Sequence, residues 1–348
     1  YPHGLLPQNI NLKVIDTVYS NWKAKYITSN GCPIGKRVLF DDMKHTVSEG
    51  IAYGLMASAF MKDEILFDDL LLYYQNYLNH NGLMNWKIDD KGELAGENAA
   101  TDADEDVAFA LLVAHSQIST EKGYRKEALR IIDAMLKHMV EQDTYVLKAG
   151  DEWGGSNTTN PSYFAPGYYK LFAKVSGNKD WLKVSDKCYD ILYKSMNKDT
   201  GLVPDWCKAS GELPADRVTW SRDNGTTFNY DAIRTPWRIS MDYLWTGDER
   251  AYNYCNTIAA FISDIGVKNI NDGYKLNGDV TRERHTSTFV GCFGVGIMAS
   301  DNKYQELVNE AYTENIAVKN DNYFNETLKV IMLMGQSGIF KMPEEFYN

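Results

Sequence analysis

The feature that most constrains this fold is an alternation between two kinds of helical segment along the whole chain. Six segments are amphipathic, with their charged residues on one face: 9–25, 62–78, 121–140, 181–197, 248–265 and 302–316. Between them lie six more apolar segments: 48–61, 102–118, 162–176, 230–245, 286–300 and 323–336. Helices that are apolar all round are buried on every side, whereas amphipathic helices face solvent. The alternation therefore predicts two concentric rings, an all-α (α/α)6 barrel of six inner and six outer helices, as one domain over residues 1–348.

The lengths of the connections indicate where a functional site would lie. Connections that leave the inner helices are very short, as at 62–64 and 177–180. Those that enter them are mostly of roughly twenty residues or more: 26–45, 79–101, 141–161, 198–229 and 267–285. Loops of that length inside a compact domain are usually functional. Because they all end at the N-termini of inner helices, we expect the active face at that end of the barrel.

Carboxylates stand in the first turns of three predicted inner helices. Glu49 precedes a stretch, 50–61, that contains no charged residue, Asp102 begins a second helix and Asp231 a third. Carboxylates that converge on one opening are what general acid/base chemistry requires. The structural alternative is that Ser48 and Glu49 form a capping pair and that Asp231 is an N-cap.

Three further acidic residues, Asp104, Glu105 and Asp106, follow Asp102 almost directly. An acidic first turn complements the helix dipole, and we assign that structural role to these three residues. They do not form an EF-hand calcium loop, because Val107 stands where that loop requires glycine.

Aromatic residues are frequent in the long loops. They make up 13% of the chain, with 23 Tyr and 8 Trp, and Trp86, Trp153, Trp206 and Trp220 all lie in segments that enter inner helices. A groove that combines indoles with carboxylates, without a basic patch or a metal motif, is typical of carbohydrate binding. The alternative is that these indoles only cover the mouth of the barrel.

Composition excludes several function classes. With a net charge of −11, the chain lacks the basic face that nucleic acid or an anionic membrane surface requires. No run of 18 or more apolar residues could span a bilayer. The five cysteines follow no zinc-binding spacing, so we predict no metal and no cofactor, and we expect Cys188, Cys255 and Cys292 to be buried hydrophobes. Because the sequence begins at Tyr1 without a methionine, we expect that a targeting segment has been removed and that the protein is secreted. We also expect a monomer.

Two longer motifs resemble the signatures of glycoside hydrolase family 8. These are Thr46-Val47-Ser48-Glu49-Gly50 with Tyr53-Gly54, and Ala100-Thr101-Asp102-Ala103-Asp104-Glu105-Asp106. The resemblance extends over nearly the whole chain and includes segments 27–31, 82–86, 145–148, 160–166 and 201–207. It is closest to the clostridial-type endo-1,4-β-glucanases, or cellulases, of that family.

The resemblance implies an (α/α)6 barrel with an open cleft, and hydrolysis of a β-glucan polysaccharide with inversion at the anomeric carbon. Glu49 matches the general acid, Asp231 the general base, and Asp102 the carboxylate that holds the sugar at the cleavage point. The expected substrate-binding residues are Trp86, Trp153, Tyr163, Tyr230, Arg234 and Tyr323. We also expect a raised pKa for Glu49, which heads an apolar helix, and expect the charge of Arg234 to favour ionised Asp231.

The resemblance leaves the substrate open. Residues 235–237 depart from the family pattern, and the segment 208–228 is longer and more charged than in the closest relatives, which could reshape the leaving-group side of the cleft. Mixed-linkage glucan, xylan and chitosan are alternatives to cellulose. The sequence at 101–105 differs from the one usual in the xylanase branch, and the chitosanase branch takes its general base from an inserted segment. Both differences favour a glucan substrate. Two other classes are a non-catalytic glycan-binding protein, which the three carboxylates argue against, and a terpenoid cyclase, which the polar loops argue against.

Overall fold

The computed structural model describes residues 1–214, 218–320 and 322–347, and in these ranges twelve α-helices alternate between outer and inner positions. The outer helices are α1 (Leu12–Tyr26), α3 (Glu64–Asn76), α5 (Tyr124–His138), α7 (Asp180–Ser195), α9 (Glu249–Ile265) and α11 (Gln305–Ala317). The inner helices are α2 (Ser48–Phe60), α4 (Thr101–Gln117), α6 (Pro166–Ser176), α8 (Arg234–Thr246), α10 (Ser287–Ile297) and α12 (Tyr323–Gln336). Each helix overlaps one of the predicted segments, so the prediction of an all-α (α/α)6 barrel is confirmed.

The inner helices form a closed ring. α2 packs against α4, α6 against α8, α8 against α10, α10 against α12, and α12 against α2. α4 and α6 complete the ring through Phe109 and Tyr168, whose ring centroids lie 4.3 Å apart in a stacked arrangement. Every residue of α10 is buried, and so is every residue of α2 except Glu49. This burial explains why both segments carry almost no charge.

Two inner helices begin later than the sequence pattern predicts, and both shifts affect the site. Pro161–Tyr163 form a 3-10 turn, and α6 begins only at Pro166, a residue that suits the first helical position. α8 begins at Arg234, so Tyr230 and Asp231 lie in the turn before it. The prediction that Tyr163 and Asp231 occupy first helical turns is therefore wrong, and Asp231 is not the N-cap of α8.

Within the described residues, the long loops carry short strands that the sequence pattern does not predict. They are β1 (Ile27–Thr28), β2 (Arg37–Val38), β3 (Thr46–Val47), β4 (Lys87–Ile88), β5 (Leu94–Gly96), β6 (Gly273–Tyr274) and β7 (Val280–Arg282). All pairs are antiparallel, in the orders β1-β2, β3-β4-β5 and β6-β7. β3 runs directly into α2, and the backbone N–H of Ser48 donates to the carbonyl oxygen of Trp86 at 2.9 Å. The three-stranded sheet therefore fixes Trp86 beside the start of the helix that carries Glu49.

Three cysteines are buried in the hydrophobic interior, as the sequence predicts. Cys188, Cys255 and Cys292 are free and buried in the interior, and burial raises the pKa of each thiol. No group of three or more His, Cys, Asp or Glu side chains in the described residues is arranged to hold a metal ion. None of the helices in these ranges combines the length and the hydropathy needed to cross a bilayer.

Candidate active site

Glu49 stands at the N-terminal end of the inner ring, on the face that the loop lengths predict. α2 begins without a side-chain cap, so Glu49 does not form the capping pair considered as an alternative. Its Oε2 accepts a hydrogen bond from Nη1 of Arg234 at 3.0 Å, and its Oε1 accepts one from the hydroxyl of Tyr323 at 3.3 Å. The side chain keeps 20% of its surface exposed, so it remains accessible from the cleft.

The protonation of Glu49 is set by competing effects. Burial raises the pKa of Glu49 to about 7; the charge of Arg234 opposes this shift, and the charge of Asp102 adds to it. A carboxyl group with this pKa holds its proton at a pH where an ordinary glutamate is ionised. The raised pKa expected for this position is therefore found, and Glu49 can act as a proton donor near neutral pH.

A single guanidinium nitrogen links three helices of the ring. Nη1 of Arg234, on α8, lies 2.5 Å from Oδ2 of Asp102 on α4 and 3.0 Å from the hydroxyl oxygen of Tyr53 on α2, so its two hydrogens are shared among these two oxygens and Glu49. Arg234 and Asp102 are only 4% and 3% exposed. Because water does not screen this ion pair, it holds the two side chains, and through them the acid, in one arrangement.

Asp231 occupies a different environment from Glu49. It lies in the turn before α8, partly exposed to the cleft, and its Oδ2 accepts a hydrogen bond from Nε1 of Trp206 at 3.0 Å. The ion pairs of Arg234 are with Glu49 and Asp102 and not with Asp231, contrary to the expectation from their spacing in the chain. Asp231 is therefore a partly exposed carboxyl group held by a neutral donor.

Two adjoining pockets meet at Asp231. The tryptophan pocket, with a volume of about 520 Å³, is lined by Trp86, Glu97, Asn98, Ala99, Ala100, Trp153, Tyr163, Trp206, Trp220 and Asp231. The arginine pocket, with a volume of about 380 Å³, is lined by Phe40, Asp41, Glu49, Tyr230, Asp231, Arg234, Arg282, Arg284, Asn322 and Phe324. Because Asp231 lines both pockets and Glu49 lines the second, an extended ligand in the two pockets would pass both carboxyl groups.

Three indoles of the tryptophan pocket are open to solvent. Trp86, Trp153 and Trp220 are 42%, 39% and 64% exposed, and the ring of Trp220 stands perpendicular to that of Trp153 at 5.6 Å. A Cβ atom at Gly96 would lie 2.4 Å from Nε1 of Trp86, and one at Gly150 would lie 2.7 Å from Nε1 of Trp153. Glycine at both positions therefore lets the indoles lie against the backbone, where their exposed faces suit stacking on sugar rings.

The three tyrosines expected to bind substrate differ in exposure. Tyr163 is half-buried in the tryptophan pocket, with Cζ of Arg234 5.2 Å from its ring centroid. Tyr230 is half-buried in the arginine pocket. Tyr323 is 1% exposed, and its hydroxyl donates to Glu49. The structure therefore places Tyr323 as a partner of Glu49 and not as an open platform for a sugar.

The loop that carries Trp153 is held by a residue that the sequence analysis did not single out. Asp151 is 4% exposed. It accepts hydrogen bonds from the side chains of Asn79 and Asn81 at 2.7 and 3.0 Å and from the backbone N–H of Ala99 at 2.8 Å. These bonds tie the loop of Trp153 to the segment that enters α4.

The acidic residues that follow Asp102 on α4 are more than the dipole-complementing turn that we assigned to them. Asp104, Glu105 and Asp106 are buried to 1% exposure or less. Asp106 receives two hydrogen bonds from Arg238, at 2.9 and 2.8 Å, and Glu105 lies 3.0 Å from the same guanidinium. The hydroxyl of Tyr74 donates to Asp104. The sequence contains a signal for this pairing. Arg234 and Arg238 are four residues apart on α8, and Asp102 and Asp106 are four residues apart on α4, so each pair lies on one face of its helix.

Comparison with known proteins gives a consistent result. The family model described as "Glycosyl hydrolases family 8" matches residues 12–338. Endoglucanase C of Ruminiclostridium cellulolyticum is 43% identical over 98% of this chain and 75% of its own length. Endoglucanase A of Acetivibrio thermocellus is 40% identical over 99% of this chain and 74% of its own length. The apo structure of a β-1,3-1,4-glucanase from Paenibacillus sp. X4 superposes with a TM-score of 0.89 at 31% identity, covering 97% of this chain and 96% of that one.

Proposed function

This chain belongs to glycosyl hydrolase family 8, and on that premise we propose that it is an inverting endo-β-1,4-glucanase with Glu49 as general acid and Asp231 as general base. The observation that carries the proposal is the contrast between two carboxyl groups on one cleft. Burial raises the pKa of Glu49 to about 7, whereas Asp231 is partly exposed and accepts a hydrogen bond from Trp206. An inverting glycosidase requires one protonated carboxyl group and one carboxylate that activates water.

In the proposed reaction, a β-glucan chain occupies both pockets with the scissile linkage between Glu49 and Asp231. Asp231 takes a proton from a water molecule, whose oxygen forms the new bond to the anomeric carbon. Glu49 gives its proton to the glycosidic oxygen as the bond from the anomeric carbon to that oxygen breaks. The products are an α-configured hemiacetal and a chain with a new hydroxyl group. Exchange with solvent then returns the proton from Asp231 and restores the one on Glu49.

We assign Asp102 to binding the sugar at the cleavage point. Its Oδ2 is occupied by Arg234, while its Oδ1 accepts no hydrogen bond from any residue that the structure describes. That oxygen is available to a sugar hydroxyl. The negative charge of Asp102 also helps to keep the pKa of Glu49 high, so one residue supports both binding and proton donation.

Cellulose-type β-1,4-glucan is the substrate that the comparisons and the pocket favour. Three relatives at 40% identity or more are named endoglucanases, and the exposed faces of Trp86 and Trp153 suit flat pyranose rings. Mixed-linkage glucan is the second candidate, because the Paenibacillus structure that covers nearly the whole chain is named a β-1,3-1,4-glucanase.

We further propose that the enzyme works as a secreted monomer with a single catalytic domain. A β-glucan polymer is too large to enter a cell, so an enzyme that cleaves linkages within the polymer must meet its substrate outside the cell. α1 packs against α12, so the first and last helices of the barrel contact each other, which supports a single domain.

Product analysis on four polysaccharides tests the proposed function. Carboxymethylcellulose, lichenan, xylan and chitosan are incubated in parallel with the wild-type enzyme, and viscosity is followed together with reducing ends. A rapid fall in viscosity on carboxymethylcellulose supports an endo-β-1,4-glucanase, and a faster reaction on lichenan alone supports the second candidate. Cleavage confined to xylan or chitosan would contradict both.

A further inference from the structure

We propose that Trp206 is a positioning residue for the base: its indole N–H anchors one oxygen of Asp231 and leaves the other free to accept the proton of the attacking water. This inference rests on the proposed role of Asp231. The indole nitrogen lies 3.0 Å from Oδ2. Among the residues that the structure describes, none donates a hydrogen bond to Oδ1. The carboxylate is therefore held at one oxygen and open at the other.

The indole that makes this bond is itself held rigidly. Trp206 is only 3% exposed. Its ring lies 5.4 Å from that of Trp153, and Tyr163 packs edge-on at 6.3 Å. The backbone of Gly225 also lies against the indole: a Cβ atom there would lie 2.9 Å from Cδ1 of the ring, and the carbonyl oxygen of Gly225 accepts a hydrogen bond from the backbone N–H of Trp206 at 3.1 Å. Packed aromatic and backbone groups therefore fix the direction of the N–H bond.

The residue before Trp206 ties this indole to the turn that carries the base. Asp205 is 1% exposed, and its Oδ1 accepts from the backbone N–H of Asn229 at 2.9 Å, while its Oδ2 accepts from the hydroxyl of Ser221 at 3.2 Å. The N–H of Asp205 donates to the carbonyl oxygen of Thr227 at 2.9 Å. Burial, and then the charge of Asp231, raises the pKa of Asp205 well above its usual range. The dipeptide 205–206 and the turn 229–231 are thus joined by buried bonds.

Other charged groups surround the base without orienting it. The titratable and charged groups that face Asp231 or line its pockets are Asp205, Tyr163, Tyr230, Glu49, Asp41, Glu97, Arg234, Arg282 and Arg284. None of them donates a hydrogen bond to Asp231 in the described residues. A neutral donor such as an indole stabilises a carboxylate without forming an ion pair with it. Trp206 therefore sets the orientation of the base, and it supplies the one hydrogen bond that the carboxylate of Asp231 receives from the residues that the structure describes.

Replacing Trp206 with phenylalanine tests the inference, because it keeps an aromatic ring and removes the donor. kcat and KM are measured from pH 4 to 9 with a soluble cello-oligosaccharide. We expect the acid-side limb of the kcat profile to move to higher pH by about one unit. At a pH below this limb, kcat should therefore fall about tenfold, the size of effect expected when a charged group loses one hydrogen bond. KM should stay within about twofold, because Trp206 is only 3% exposed and a phenyl ring keeps an aromatic group at that wall of the pocket.

Two further variants keep the test decisive. Trp86→Phe is the matched control: it makes the same change in the same pocket at an indole that neither bonds to Asp231 nor packs against Trp206, and it should alter KM without moving the acid limb. If Trp206→Phe does not fold, as judged by circular dichroism and Tm, 3-benzothienylalanine at position 206 replaces the indole N–H with sulfur and preserves the ring shape. The same shift of the acid limb is expected.

The result that overturns the inference differs from the one that overturns the proposed function. If the donor-free variants at position 206 leave the acid limb in place while Asp231→Asn is inactive, Trp206 only shapes the pocket. If Asp231→Asn retains turnover, the assignment of the base fails, and the role of Trp206 fails with it.

Discussion

Nη1 of Arg234 lies 2.5 Å from Oδ2 of Asp102, in an ion pair that is almost completely buried. The same nitrogen lies 3.0 Å from Oε2 of Glu49, so two carboxyl groups share one cation. Arg234 lowers the pKa of Glu49 and Asp102 raises it, while burial has the largest effect. This arrangement makes the proton affinity of Glu49 depend on its neighbours, and that dependence can be measured.

Asp102→Asn should shift the pH dependence of the reaction. Glu49 must be protonated to act as the acid, so activity falls as pH rises through its pKa, about 7 in the wild-type enzyme. Removing the negative charge of Asp102 lowers the pKa of Glu49, so the alkaline limb of the kcat profile should move to lower pH. Asp279→Asn, at an exposed position, is the control and should leave the limb in place. An unchanged limb in Asp102→Asn would show that the two carboxyl groups are not coupled.

Glu49→Gln should fold normally and lose about three orders of magnitude in activity on unactivated β-glucan, because the leaving oxygen no longer receives a proton. An aryl cellobioside with a good leaving group needs less proton donation, so its loss should be much smaller. Initial rates on both substrates, with Tm as a check on folding, provide the test. Equal losses on the two substrates would remove Glu49 from the role of acid.

The stereochemistry of the product follows from the proposed roles. If Asp231 activates water and does not itself attack the sugar, the first product from a β-linked chain is the α-anomer, and Asp231→Asn abolishes turnover while still binding substrate. Proton NMR of cello-oligosaccharide cleavage, recorded before mutarotation, distinguishes the anomers. A β-anomer appearing first, or a covalent glycosyl adduct on Asp231 or Asp102, would contradict an inverting mechanism.

Trp86→Ala and Trp153→Ala should each weaken oligosaccharide binding by roughly 1–3 kcal/mol, because each removes an indole face that can stack on a sugar. Tm should change little, since both side chains are about 40% exposed. Calorimetric titration in the Glu49→Gln background measures affinity without turnover. Ile65→Ala, at a 75% exposed position on outer helix α3, is the control and should leave affinity unchanged. Severe unfolding without a change in affinity would assign these indoles to the core.

Arg238→Met should destabilise the protein by about 3–5 kcal/mol, the typical effect of removing one partner of a buried ion pair. Arg238 bonds to Asp106 and lies beside Glu105, and all three are 2% exposed or less. Without the guanidinium, two buried carboxyl groups lose their compensating charge. Urea unfolding gives the free-energy change, and Lys275→Met, which removes an exposed ion pair with Asp279, serves as a control with no measurable effect expected. A change in Arg238→Met no larger than in the control would contradict the role of this pair.

The sequence alone determined the architecture, and it singled out three carboxyl groups, Glu49, Asp102 and Asp231, as candidates for the site. Helical periodicity is a local property of residues three and four positions apart, so twelve alternating segments could be recognised without a structure. Glu49 was identifiable because it stands alone at the head of a segment, 50–61, that contains no charged residue. Its raised pKa followed from the same pattern, since the burial that shifts it is a property of the helix.

Only the tertiary structure decided which of these groups meet. Arg234 lies three residues after Asp231 in the chain, but its ion pairs are with Glu49 and Asp102 on other helices. Asp106 looks like part of an acidic helix turn, but it is buried against Arg238. The contact between Trp206 and Asp231 likewise depends on how two loop segments fold together. The physical reason is that electrostatic and hydrogen-bond partners depend on distances between helices and loops, and these are set by the packing of the whole ring and not by spacing along the chain.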